Sequence, residues 1–281
     1  MDLHTKYKLK MFVGVFIFLL FLFLLLFFSI KCVHPNVHLE YKNIKNVHDK
    51  KYKILVYQTG AYKNFPKFAE LSRKINSLYC NKWGYTYIDV QHPIDKIPPY
   101  WLKTHVLFTF LMKYDYDYIM YLDYDAIFND FNTSIESFLN FIGNDYDFYI
   151  GKDVNPTRYI NTGAYIVKNN DFTKKLISDW INMCFDENTN FDENIIMKGH
   201  CEKWKFTNEK WDCGGCEWAG ISYEQGSLNT LVTDNLSNIA VLPMNFITNT
   251  DPDKKSFVLH LFKSNDQYRE ETFNIKLNQL L

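Results

Sequence analysis

The sequence has no block of basic residues. Lysine and arginine total 31 and aspartate and glutamate 32, dispersed along 281 residues. The electrostatic footprint of a nucleic-acid-binding protein is therefore missing. There is no internal repeat. Cys213-Gly-Gly-Cys216 has no second C-x-x-C to complete a zinc site, and no thioredoxin-like context surrounds it. Charge is absent altogether from residues 11–30, which are almost all Phe, Leu, Ile and Val. That run matches the hydrocarbon thickness of a bilayer, and Lys6, Lys8 and Lys10 before it favour a cytoplasmic N-terminus. A cleaved signal peptide is the rival reading. It calls for a shorter apolar stretch and small residues at the cleavage site, and Phe27-Phe-Ser-Ile-Lys31 offers neither.

The expected organisation is a cytoplasmic tail (1–10), an uncleaved transmembrane anchor (11–30), a polar stem (31–51) and one folded domain (52–281). His34, His38 and His48 in the stem fit no compact metal site and read as part of a solvated linker. Everything beyond Lys31 then lies in the lumen or outside the cell. There Cys32, Cys80, Cys184, Cys201, Cys213 and Cys216 meet oxidising conditions. Disulfides that tie down the loop holding Cys201, Cys213 and Cys216 are expected, with connectivity left open. Asn132-Thr-Ser134 and Asn235-Leu-Ser237 are short glycosylation sequons.

What the sequence does have is a short apolar run, Tyr118-Ile-Met-Tyr-Leu122, that stops at two carboxylates, Asp123 and Asp125. At a strand end, this spacing presents two hard oxygen ligands to one divalent cation, and such a cation can neutralise a diphosphate. A surface turn gives the same spacing, as Asp115-Tyr-Asp117 and Asp145-Tyr-Asp147 illustrate. Only the 123/125 pair directly follows an apolar strand.

Strands are expected at 52–57, 85–90, 118–122, 148–150, 164–167, 239–242 and 257–261. Apolar residues recur at helical spacing in 68–79, closed by Gly84, and in 172–184. Residues 101–112 are apolar nearly all round and predict a buried helix after a loop at Pro98-Pro99. A helix over 222–233 is expected to start with Ser222 and Gln225 as a capping box. Residues 187–216 read as a polar, irregular insertion. Strands alternating with helices give an α/β fold with a mostly parallel sheet and flanking helices. Ligands bind such sheets beyond the carboxyl ends of the strands, where Asp123, Asp125, Thr59 and Gly60 all fall.

Several segments together resemble GT-A (Rossmann-like) glycosyltransferases, in particular family 34 of galactosyl-, mannosyl- and xylosyltransferases. They run in the expected order: Ile54-Leu-Val-Tyr-Gln-Thr-Gly60, Asn76-Ser-Leu-Tyr-Cys-Asn-Lys-Trp-Gly-Tyr85, Trp101-Leu-Lys103, Tyr121-Leu-Asp-Tyr-Asp-Ala126, Asn161-Thr-Gly-Ala164, Glu224-Gln-Gly-Ser-Leu228 and His260-Leu-Phe-Lys263. The resemblance implies that Asp123, Asp125 and His260 hold Mn²⁺. It implies that Thr59, Gly60 and Tyr62 line a nucleotide pocket, with Gly60 admitting the ligand close to the backbone. Lys103 and Lys263 would contact the donor's phosphates, and Asn161, Thr162 and Gly163 its sugar. Glu224 and Gln225 would face the anomeric carbon or the acceptor hydroxyl as the catalytic pair. The implied activity is metal-dependent transfer of a hexose or pentose from a nucleotide-sugar to a glycan or glycoprotein. Retention of configuration and a type II topology in the Golgi or an equivalent secretory compartment are also implied. Two features depart from the family: Leu-Phe-Lys after the histidine, where a glycine is common, and the Cys- and Trp-rich segment 191–218.

Two other classes compete. A haloacid-dehalogenase-type phosphatase also places D-x-D after an apolar strand, with the first Asp as nucleophile. Its pair lies on the first strand and is followed by different residues, and no downstream Gly-Asp motif is found here. A membrane-anchored sugar-binding module without turnover would use aromatics such as Trp211, Trp218 and Tyr223. Such a module would be expected to lose the paired carboxylates, and both are present.

Overall fold

The computed structural model describes residues 52–281 except 63, 94, 156–157, 190 and 192–194. The expected tail, anchor and stem, with Cys32 and the three stem histidines, lie outside the described residues. Among the described residues, no helix is long and apolar enough to cross a membrane.

The first half builds from β1 (Ile54–Gly60), α1 (Lys67–Trp83), β2 (Thr86–Gln91), α2 (Pro99–Lys113) and β3 (Tyr118–Leu122). Both β1 and β3 are buried along their whole length. Helices cover both faces of the sheet, and strands so enclosed carry continuous rather than alternating apolar sequence. Gly84 stops α1 in the left-handed region, φ 74°, with its N–H bonded to the Cys80 carbonyl. Pro99 is not in a loop, as expected, but at the first position of α2, where its missing N–H costs nothing. Then follow β4 (Ala126–Phe128), α3 (Ile135–Ile142), β5 (Phe148–Lys152), β6 (Ile160–Lys168) and α4 (Asp171–Asn182).

The segment expected to be irregular contains a 3₁₀ turn (Gly199–Lys203) and a hairpin of β7 (Trp204–Thr207) and β8 (Lys210–Cys213). Asn208 and Glu209, both at positive φ, make the tight turn that suits strand twist. Disulfides join Cys184 to Cys201 and Cys213 to Cys216, and Cys80 is free and buried. The chain closes through α5 (Glu224–Asp234), β9 (Ile239–Leu242), α6 (Met244–Ile247), β10 (Val258–His260) and α7 (Asp266–Leu280). The capping box at the start of α5 does not form. Ser222 instead donates to the His200 carbonyl, and the Gln225 side chain turns to Thr162.

Six strands form the main sheet in the order β2-β1-β3-β6-β5-β9. All pairings are parallel except those of β6, which runs antiparallel to both β3 and β5. This single inversion positions the site. It carries the start of β6 to the edge where β1 and β3 end. A short antiparallel pair, β4 with β10, sets His260 opposite Ala126. On one face of the sheet, Trp101, Leu107, Trp180 and Phe185 pack on Leu55, Tyr57, Ile119 and Tyr121. On the other, Phe68 and Ile75 of α1 meet Phe273 and Leu277 of α7 around β4 and β10.

Candidate active site

The carboxyl edge of the sheet opens into a cleft of about 440 Å³ whose walls come from β1, α1, α2, β3, β6, α5, β10 and α7. Asp123 and Asp125 follow β3. The Asp123 N–H donates to the Gly163 carbonyl at 2.7 Å, which ties this end of β3 to the start of β6. His260 closes β10, with 2% of its surface exposed. Its Nε2 lies 3.1 Å from Asp125 Oδ1 and 4.0 Å from Asp123 Oδ2. One ligand atom from each of Asp123, Asp125 and His260 falls within 4.8 Å of the others.

Two carboxylates and an imidazole are a donor set that suits Mn²⁺. The packing fits too. A Cβ on Gly163 would stand 1.9 Å from His260 Cε1 and 2.8 Å from Asp123 Oδ2, so only glycine leaves the triad room. The second imidazole nitrogen, Nδ1, is buried with no hydrogen-bond partner among the described residues. The ring's orientation is therefore set by packing and by its neighbouring carboxylates.

Lys103 reaches the site from α2. Its ammonium is 3.0 Å from Asp123 Oδ1, 3.3 Å from Glu224 Oε1 and 4.9 Å from the centre of the Tyr121 ring. Burial disfavours its charge, but Asp123 and Glu224 outweigh that and hold its pKa above the ordinary lysine value. Glu224, at the first position of α5, accepts from Thr162 Oγ1 at 2.9 Å. Burial raises its pKa and Asp123 adds to the rise, against the pull of Lys103. For Asp125, burial pushes the pKa up. His260, Arg269 and Lys103 overcome it and keep the carboxyl below the usual range.

Gln225 accepts from the Thr162 N–H at 3.3 Å and donates to Asp153 Oδ2 at 3.1 Å. Asn161 accepts from the Gly163 N–H and donates to the same Asp153 oxygen. Both amides are thus committed to holding the start of β6. Thr59 and Tyr62 line the cleft. Gly60 does as well, but its smallness serves packing: a Cβ there would stand 2.4 Å from the Tyr124 ring. Of the expected site residues, the structure leaves Lys263 out of the cleft wall. It is exposed, with its ammonium 5.9 Å from the centre of the Phe262 ring. The two look-alike D-x-D pairs precede β3 and β5, at the amino edge. There Asp115 pairs with Lys53, Asp117 accepts from the Lys53 N–H, and Asp147 accepts from Asn170 and Asn238.

Among the residues that were not anticipated, three hold the site's side chains in place. Arg269 of α7 donates to Asp125 Oδ2 at 2.9 Å and to the Leu261 and Phe262 carbonyls. Tyr121 donates its hydroxyl to Asp123. Asp153 gathers the amides of Asn161 and Gln225. A tyrosine two residues before a ligand on an apolar strand is a signal in principle, because strand alternation puts both on one face.

No family model matches the sequence, and no curated protein matches it. Among solved structures it is similar to a glycosyltransferase involved in glycosylation of the major capsid of PBCV-1. That match has a TM-score of 0.57 at 13% identity, over 79% of this chain and 99% of the other. It is also similar to glycosyltransferase GlyE of Streptococcus pneumoniae TIGR4 (0.47, 12%, covering 81% and 62%). A third similarity is to mouse xyloside xylosyltransferase 1 (0.40, 11%, covering 74% and 96%). The first match spans almost the whole of its counterpart and carries the assignment of fold: the described residues adopt the GT-A architecture of glycosyltransferases.

Proposed function

We propose that this protein moves a hexose or pentose from a nucleotide-sugar to a hydroxyl of a glycan or glycoprotein, with retention of anomeric configuration and with Mn²⁺ as cofactor. The observation that carries the reading is the convergence of Asp123, Asp125 and His260 beside the buried Lys103–Glu224 pair, at the carboxyl edge of a GT-A sheet. Asp123, Asp125 and His260 would hold the cation, which when bound would supply positive charge to a leaving nucleoside diphosphate. Lys103 adds a fixed ammonium at the same place, preorganised by Asp123 and Glu224 and shielded from water, where it counts for more than in solution. The bond from the anomeric carbon to phosphate breaks with its electron pair leaving on oxygen. The acceptor oxygen bonds to that carbon, and its proton passes to the departing phosphate. Glu224, which lines the cleft and accepts from the Thr162 hydroxyl, would offset positive charge developing at that carbon.

The same reading places the catalytic domain in the lumen of the Golgi or an equivalent compartment, behind a type II anchor at 11–30. The uncharged run and the lysines before it support the anchor. The two disulfides support an oxidising setting.

The test is a screen of UDP-galactose, UDP-xylose and GDP-mannose with Mn²⁺ and no acceptor, scored by release of nucleoside diphosphate. One donor is expected to turn over. Asp123→Ala and Asp125→Ala are expected to lower the rate by about a hundredfold or more with the fold intact. Full activity of both variants in the presence of a chelator would rule the site out. Phosphate release from generic phosphoesters would instead favour a phosphatase, and sugar binding without turnover a binding module.

A further inference from the structure

The Cys- and Trp-rich segment that the family resemblance leaves unexplained ends on a tryptophan in the cleft. Of the six tryptophans, Trp218 alone is exposed, at 53%, and it lines the same cleft as Asp123, Glu224 and His260. A large apolar ring left in water at the mouth of a site is informative in a way that a buried one is not.

This ring is also held in place. It meets Tyr100 and Tyr223 edge-on, with centroids at 5.2 and 5.0 Å. Both tyrosines pack in turn on Trp204, which is buried and donates its indole N–H to the Ser222 carbonyl at 2.8 Å. Arg158 donates to the Trp218 carbonyl at 2.7 Å. Ala219 takes the left-handed conformation at φ 54°, and the Gly220 N–H returns to the Glu217 carbonyl. The loop then presses on α5: a Cβ on Gly226 would stand 2.1 Å from the Gly220 oxygen. Trp218 is therefore seated against the helix turn that carries Glu224.

We propose that Trp218 is the acceptor platform, on which the apolar face of a pyranose of the acceptor glycan stacks. This rests on the transferase reading above. The C–H face of a pyranose carries weak positive charge and complements the negative face of an aromatic ring. The inner wall of the cleft is made by buried groups, Lys103, Thr162 and His260, which suit a charged donor enclosed from water. Trp218 opens to solvent, from which a large acceptor must enter. Tyr62 is the other exposed ring in the wall, but it is carried by Tyr124 and Phe65 beside β1. The two rings thus have separate supports.

The experiment uses the full-length chain in detergent, the donor identified by hydrolysis, and a panel of methyl pyranosides as acceptors. At least one pyranoside is expected to be glycosylated. Trp218→Ala should raise the KM for it by about tenfold or more, while the donor KM moves by less than about twofold. Trp218→Phe should recover part of the loss. Saturation-transfer NMR should show contact with the ring C–H protons of the pyranoside in the wild type and not in Trp218→Ala. An unchanged acceptor KM in Trp218→Ala overturns the proposal, and so does a wild type that hydrolyses its donor yet accepts no pyranoside. A wild type that turns over no nucleotide-sugar overturns the transferase reading itself.

Discussion

Glu224 shows how far surroundings can set the chemistry of one side chain. It is buried, faces Lys103 and Thr162, and its pKa is raised from the ordinary 4.5 by burial first and by Asp123 second. A carboxyl raised on folding binds a proton more tightly in the native state. The native state is therefore favoured at low pH and loses stability as pH rises from the ordinary value through the raised one. Glu224→Gln removes that cost. With a chelator present, the variant is expected to melt above the wild type at about pH 7, and the gap should close toward about pH 4, where the wild type is protonated too. A lower melting temperature at neutral pH would mean that the ion pair with Lys103 outweighs burial. Donor turnover should fall in the same variant, so stability and activity move in opposite directions. Asp123 and Asp125 were legible because an apolar strand stops at them. Lys103 and His260 were legible only through family resemblance, since a lone lysine or histidine in an apolar segment is usually a solvated or core residue. Arg269 left no trace, because its partner Asp125 is 144 residues away.

At the scale of elements, the site depends on contacts between strand ends. Gly163 sits where β6 begins, and its missing Cβ is the space that His260 and Asp123 use. Gly163→Ala is expected to displace the imidazole and weaken Mn²⁺ binding by about tenfold or more, read by electron paramagnetic resonance of free Mn²⁺. Its melting temperature without metal should fall as well, because the added Cβ overpacks a buried imidazole. Unaltered Mn²⁺ affinity would show that His260 is not a ligand. The Cys184–Cys201 bridge acts differently, by closing a loop 17 residues apart in sequence that braces α4 against the 3₁₀ turn. Replacing both cysteines by serine should cost about 3 kcal/mol in denaturant unfolding. Apolar runs revealed β1 and β3, and helical spacing revealed α1 and α4, because enclosure on both faces or on one leaves a pattern. The inversion of β6 left none, since alternation says nothing of strand direction. β4 is too short to show a period. α7 buries only Thr272, Phe273 and Leu277 well, too little for an apolar stripe.

For the whole molecule, the cleft is a product of topology: eight elements from Thr59 to Arg269 contribute walls, and none of them makes a site alone. Carboxylates crowded at one edge repel each other, and Asp123, Asp125 and Glu224 are balanced there by Lys103 and Arg269. A divalent cation bound by the native state alone would add positive charge there and stabilise the fold by linkage, by about 2.7 kcal/mol at a hundred times its Kd. Mn²⁺ should therefore raise the melting temperature of the wild type in a concentration-dependent way. The rise should vanish in Asp123→Ala and Asp125→Ala and persist in Trp218→Ala, whose ring lies outside the triad. A shift of equal size in all four proteins would mean that the ion binds elsewhere, and the sheet-edge triad would lose its role.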